Sequence, residues 1–260
     1  MSSIDSEIDR GKVITVFSTK GGVGKSMISS NLATQMARTT GKRVALVDLD
    51  LQFGDIGVML GLRPEMTIYD SLPVSDELTD TTIDQFLTPH RSGLKVMLAP
   101  LRPELADSIS AKHIRNVIDA MRGAADIVVA DTPASFNDHV LSLLDETDLA
   151  VLVATMDVPS VKNVKLCLET LRSLQFSDDK IALVINKADD EVGLNRQEIE
   201  DSLCKTALLT IPSDRKVPLS INQGSPVVMV GRRSPAARSL ISLTETILAA
   251  LDIDKTIRVA

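Results

Sequence analysis

Two lysines five residues apart bracket the string Lys20-Gly21-Gly22-Val23-Gly24-Lys25-Ser26. Ammonium groups and the backbone N–H groups of a glycine loop gather phosphate oxygens, and a hydroxyl such as that of Ser26 is a ligand for magnesium. Gly24-Lys25-Ser26 matches the end of the phosphate-loop pattern G-x-x-x-x-G-K-[ST], while Thr19 stands where its first glycine would be. Lys25 holds the position from which an ammonium reaches the β- and γ-phosphates. Three carboxylates belong to the same chemistry. Asp48 and Asp50 close the apolar run 43–47, and Asp131 closes the run 126–130. Beside a phosphate loop, carboxylates hold magnesium or orient a water for phosphoryl transfer. The set points to binding of a nucleoside triphosphate.

These groups need elements to carry them. The apolar run Val13–Phe17 leads into the loop, and apolar residues at Ile28, Leu32 and Met36 follow it at helical spacing. Strand-like runs recur at 43–47, 93–100, 126–132, 149–154, 181–185 and 207–211. Helical patterns recur at 113–121, 161–171, 195–204 and 235–251. Strands alternating with helices predict an α/β protein: a doubly wound, mostly parallel sheet with helices on both faces and its ligand at the strands' C-terminal edge. Asp48, Asp50 and Asp131 then share that edge with Lys25. Between 56 and 100 the pattern is irregular, with helical stretches at 56–61 and 81–87 and a short piece at 68–72, read as surface insertions. The expected organisation is a disordered leader over 1–12, one domain over 13–251, and a tail over 252–260 too short and too mixed in charge to hold a membrane surface.

Composition excludes several classes. With 44% hydrophobic and 24% charged residues, the 260-residue chain has the mix of a soluble globular protein, and no apolar run approaches a membrane span. The polar first ten residues lack the form of a signal peptide. Cys167 and Cys204 lack metal-site or disulfide spacing, and His90, His113 and His139 are scattered, so none of the five is assigned a site. A net charge of -7 argues against a broad DNA-binding face, and 2% aromatic residues leave little for base stacking. Arg232, Arg233 and Arg238 are the one local basic group that could contact phosphates.

With its early lysine, Lys20-Gly21-Gly22-Val23-Gly24-Lys25-Ser26 resembles the deviant Walker A family, whose members include ParA and MinD. The resemblance implies a P-loop ATPase fold, ATP and Mg2+ as cofactors, and slow hydrolysis tied to an ATP-bound homodimer. In it Lys20 reaches across to the partner's nucleotide and Lys25 serves its own. Residues Gly21, Gly22, Val23, Gly24, Lys25, Ser26 and Met27 cradle the phosphates, with Ser26, Asp48 and Asp131 on the metal side and Asp50 orienting the attacking water. Asn186, whose amide could pair with a purine edge, and Lys187, Pro212 and Asp214 take the adenine. The string Asp48-Leu49-Asp50-Leu51-Gln52-Phe53-Gly54-Asp55 is similar to that of CpaE/TadZ-type pilus-assembly ATPases. That likeness implies a cytoplasmic spatial switch for a pilus or secretion apparatus, with polar or membrane association through partners. ParA-type partitioning or MinD-type division-site positioning is the alternative, and a nucleotide-free structural role is a third.

Overall fold

The computed structural model describes residues 10–188 and 194–253. Asp189 and most of the expected leader and tail lie outside the described residues. Among the described residues eight strands form one sheet: β1 Lys12–Phe17, β2 Val44–Asp48, β3 Thr88–Pro89, β4 Lys95–Met97, β5 Ile127–Asp131, β6 Leu149–Thr155, β7 Ile181–Ala188 and β8 Ala207–Pro212, in the order β3-β4-β2-β5-β1-β6-β7-β8. All neighbours are parallel except the pair β3–β4. Near-continuous apolar runs explain this choice, because a parallel sheet is covered on both faces. The doubly wound α/β fold is as expected.

The helices are α1 Lys25–Thr39, α2 Ile56–Leu60, α3 Ala111–Ala124, α4 Asp138–Leu144, α5 Val158–Ser173, α6 Arg196–Leu203, α7 Lys216–Asn222, α8 Val227–Val230 and α9 Pro235–Ala250. Alternation along each strand divides them. Ile14 and Val16 of β1 pack with Ile28 and Leu32 of α1 and Leu240 and Leu243 of α9. On the other face Val13 packs with Ile114, Val117 and Ile118 of α3, and Phe17 with Val164 and Leu168 of α5. Truncating one of these buried leucines or isoleucines to alanine costs roughly 2–5 kcal/mol. α1 is buried along most of its length, and its Asn31 joins it to α8 by accepting the Val228 N–H at 3.1 Å.

The region from 56 to 100 corrects the expectation of surface insertions. The stretch 81–87 forms only a 3-10 turn, Ile83–Phe86, and Ile68–Glu77 consists of two short 3-10 pieces that meet at a kink at Val74, just after Pro73. Ile68, Ile83 and Phe86 are buried against Val47, Met97 and Ile118, so this irregular chain closes the core beside α3. Proline and the absence of a long helical period leave tight turns as the way to bury these side chains. The strand expected over 93–100 shortens to the three residues of β4. Cys204 caps α6 at φ 48° and is not within the helix.

Candidate functional site

The sheet's C-terminal edge gathers the loops that follow β1, β2, β5, β7 and β8. They border a cleft of about 800 Å3 lined by Gly21, Gly22, Gly24 to Met27, Asp50, Asp55, Met59, Asn186, Lys187 and Ile211 to Arg215 among others. That volume suits a nucleotide-sized ligand. At its floor Gly24 precedes α1 in a left-handed conformation, φ 98°, and a Cβ there would stand 2.3 Å from Asn186 Nδ2. Only glycine turns the chain here and admits that amide. The first N–H groups of α1 lack helical acceptors and carry the positive end of its dipole.

Two side chains from the end of β7 brace the loop. Asn186 Nδ2 donates to the Val23 carbonyl at 2.7 Å, and Lys187 Nζ donates to the Gly22 carbonyl at 2.8 Å. Because a trans peptide points its N–H opposite its C=O, tying back these carbonyls aims the N–H groups of Val23 and Gly24 the other way. Asn186 is only 2% exposed. Its amide therefore holds the loop from beneath, a task that its sequence position beside a strand end did not disclose. Lys187 adopts φ 52°, the left-handed conformation, to make its reach.

Lys25 is 8% exposed. Burial lowers its pKa, and the charges of Asp131 and Asp50 oppose that shift. A buried ammonium needs anions, and the cleft offers this one only partial compensation from carboxylates. Asp131 is fully buried, and the Ser29 hydroxyl lies 3.0 Å from its Oδ1, while its Oδ2 has no hydrogen-bond partner in the protein. Burial pushes the Asp131 carboxyl up to about 6, against the pull of Ser26, Ser29 and Lys25. A carboxyl with one orphaned oxygen, and a serine hydroxyl close enough to act on that same carboxyl, make the kind of oxygen donor set a hard divalent cation takes. The residues present therefore fit magnesium held by Ser26 and Asp131.

Asp48 differs from its expected role. It pairs in register with Asp131 across β2 and β5. Its Oδ1 accepts the Asp50 N–H at 3.1 Å, its Oδ2 accepts the Ile56 N–H at 3.2 Å, and a Cβ at Gly54 would stand 2.4 Å from that Oδ2. Asp48 is thus the anchor around which the 49–55 loop folds, and it does not line the cleft. Burial first, then the neighbouring Asp131 charge, raises its pKa well above the carboxylate range. Asp50 does line the cleft, so the structure brings it to Lys25 as expected.

Lys20 lies outside its own cleft, where Nζ pairs with Asp157 Oδ1 at 2.6 Å. Asp157 also accepts from the Thr155 hydroxyl and caps α5 through the Ser160 N–H. Burial raises the Asp157 pKa, but those bonds and the lysine together hold it low. Asp157 was missed in the sequence, where it is an ordinary helix-cap residue. Pro212 lines the far end of the cleft. The Asp214 carboxylate, there too, is occupied by the backbone: Oδ1 accepts from Lys216 N at 2.9 Å and Oδ2 from Ala236 N at 3.3 Å. It fastens α7 to α9. Among the described residues no cluster of histidine, cysteine and acidic side chains could hold a metal without further ligands, and no helix is long and apolar enough to cross a membrane.

Comparison with known proteins agrees with this geometry. The family model described as the CobQ/CobB/MinD/ParA nucleotide binding domain matches residues 14–227. The septum site-determining protein MinD of Synechocystis sp. is 28% identical over 224 residues, covering 84% of this chain and 82% of that protein. The solved structure of a ParA family ATPase from Chlorobium tepidum matches with a TM-score of 0.85 at 23% identity, over 90% of this chain and 98% of that one. That of MinD complexed with Mg-ADP from Pyrococcus horikoshii matches with a TM-score of 0.82 at 20% identity, over 95% of this chain and the whole of the other. These two show the fold. Matched over residues 14–227, the chain belongs to the CobQ/CobB/MinD/ParA nucleotide-binding family.

Proposed function

We propose that this chain, as one ATPase domain over 13–251, is a cytoplasmic Mg2+-dependent ATP hydrolase. Its ATP-bound form closes into a homodimer that marks a position in the cell for other proteins. The observation that carries the reading is the orphaned Asp131 Oδ2 beside Ser26 and the buried Lys25, at the floor of a cleft of nucleotide size. In this reading Lys25 and the N–H groups of residues 21–27 bind the phosphates, and Ser26 and Asp131 hold the metal. Bound magnesium supplies charge neutralisation at the phosphates. Asp50 orients the attacking water, and Lys20 leaves Asp157 to reach the partner's nucleotide. Residues 211–215 border the base, with Asn186 acting chiefly through the loop. Lys25→Ala should abolish ATP binding measured by calorimetry, and affinity within twofold of the parent's would sink the assignment.

For purpose, division-site positioning of the MinD type is favoured over the pilus reading. The Asp48–Asp55 string that suggested pilus assembly is accounted for by its loop: Asp48 collects two N–H groups and Gly54 lets the chain pass its carboxylate. Its residue types therefore follow from geometry and say little about partners, whereas the septum site-determining protein of Synechocystis is matched over 82% of its length. Depletion in growing cells tests this. Misplaced septa with surface pili intact would support it, and lost pili with normal septa would restore the first expectation.

A further inference from the structure

The far end of the cleft has two walls. Asp55 and Met59 of the α2 region form one, and Val217, Pro218 and Ile221 of α7 the other. Gly61 caps α2 at φ 65°, and Gly224, at φ 58°, follows Gln223, the cap of α7, so a left-handed glycine turns the chain at each end. At α2 the Gly61 N–H donates to the Val58 carbonyl and the Leu62 N–H to the Gly57 carbonyl, closing the helix. At α7 the Gly224 N–H donates to Ile221 and the Ser225 N–H to Ser220.

These two ends touch, backbone to backbone. A Cβ at 61 would stand 2.8 Å from the Gly224 carbonyl oxygen, and a Cβ at 224 would stand 2.7 Å from the Gly61 Cα. The obstacle in each case is main chain, which cannot swing aside as a side chain does. Ordinary carbon contacts need roughly 3.5–4 Å, so an alanine at either position must part the two ends by on the order of 1 Å. Arg91 strengthens the junction from the β3–β4 turn by donating to the Ser225 hydroxyl.

We propose that the Gly61–Gly224 contact is a specificity device for the nucleoside end of the site: it fixes the gap between α2 and α7 so that the gap grips a flat heteroaromatic base between Met59 and the Val217–Ile221 face. Preset walls spare the ligand the entropy of ordering them, and a gap wider by a fraction of an ångström loses contact on both sides of the base. The phosphate loop is held by β1, the start of α1 and the end of β7, and none of its atoms is among those that a Cβ at 61 or 224 would meet. Base binding and phosphate binding are therefore separable by substitution here. The inference rests on the nucleotide reading above and adds to it the determinant of base affinity.

The test compares Mg-ATP with Mg-tripolyphosphate, which offers the phosphates without a base, on the full chain by calorimetry. Gly224→Ala and, separately, Gly61→Ala should each weaken ATP about tenfold or more while tripolyphosphate changes by less than about twofold. Unchanged ATP affinity, or equal loss of both ligands, overturns the inference and leaves the nucleotide reading standing. Failure of the parent to bind either ligand overturns both. Hydrogen exchange on the unaltered protein decides the matter even if both variants unfold. ATP should slow exchange in residues 56–62 and 217–226 together, and tripolyphosphate in neither. Slowing by tripolyphosphate to the same extent, or slowing in one segment alone, contradicts the proposal.

Discussion

Ser29 lies one turn beyond Ser26 on α1, fully buried, with its hydroxyl 3.0 Å from Asp131 Oδ1 and 3.1 Å from the Lys25 carbonyl. A carboxylate is the stronger acceptor, so the hydroxyl holds Asp131 in the orientation that leaves Oδ2 for a cation. Ser29→Ala should raise the Mg2+ concentration needed for half-maximal nucleotide binding about tenfold, the usual penalty for removing a residue that orients a ligand. Binding of nucleotide in a chelator should stay unchanged. A titration of Mg2+ at fixed ATP checks this, and an unchanged midpoint would remove Ser29 from the metal site. Lys25, Ser26 and Asp131 were legible in the sequence because each is part of a short local pattern. Ser29 was not, since one more serine in a helix reveals nothing until β5 brings a carboxylate to it. The loop-bracing tasks of Asn186 and Lys187, both read as adenine contacts, and Asp157 altogether were hidden for the same reason. Their partners lie more than 130 residues away, at Val23, Gly22 and Lys20.

At the scale of elements, the long strands and helices were readable from periodicity, while the short helices α4, α7 and α8 and the 56–100 region were not. Its buried residues sit in 3-10 segments with no repeating period, so Ile68, Ile83 and Phe86 gave no pattern to detect. His113 shows what holds that region. It is buried on α3, with Nδ1 2.6 Å from the Ser75 hydroxyl and Nε2 within 3.0 Å of the Ser71 hydroxyl and 3.2 Å of the Ile68 carbonyl. Burial lowers its pKa, against the opposing hydrogen bond to Ile68. A base whose folded pKa is depressed is held neutral, so its contribution is complete above the unfolded value of about 6.5 and is lost as pH falls below it toward the folded value. His113→Ala should destabilise the protein at neutral pH by roughly 1–3 kcal/mol, for the stranded polar partners. Urea unfolding of parent and variant from pH 8 to 5 checks both points. The difference between them should shrink as the solution is acidified. A gap that is constant or widens would show that His113 is not held neutral.

For the whole molecule, charge and symmetry decide what the site can serve. The chain carries a net charge of -7, yet Arg215, Lys216, Arg232 and Arg233 lie near one another, because Asp214 ties the start of α7 to α9 and Lys216 passes beside Gly231. Four cations on an acidic protein neutralise few phosphates at physiological salt. With ATP present, duplex DNA should therefore bind more weakly than roughly 10⁻⁴ M in 150 mM salt. Micromolar binding that weakens steeply with salt, and that vanishes when these residues become alanine, would return a ParA-type partitioning role.

The central claim is an ATP-switched dimer in which Lys20 leaves Asp157 for the partner's nucleotide. Light scattering on Asp50→Ala, which should bind ATP without turning it over, tests it most directly. With saturating Mg-ATP the mass should double from the 28.0 kDa of one chain. It should stay at one chain with ADP, and also with ATP when Lys20→Ala is added and calorimetry shows ATP still bound. A single-chain mass for Asp50→Ala at saturating Mg-ATP, or an equally stable dimer without the Lys20 ammonium, would contradict the account.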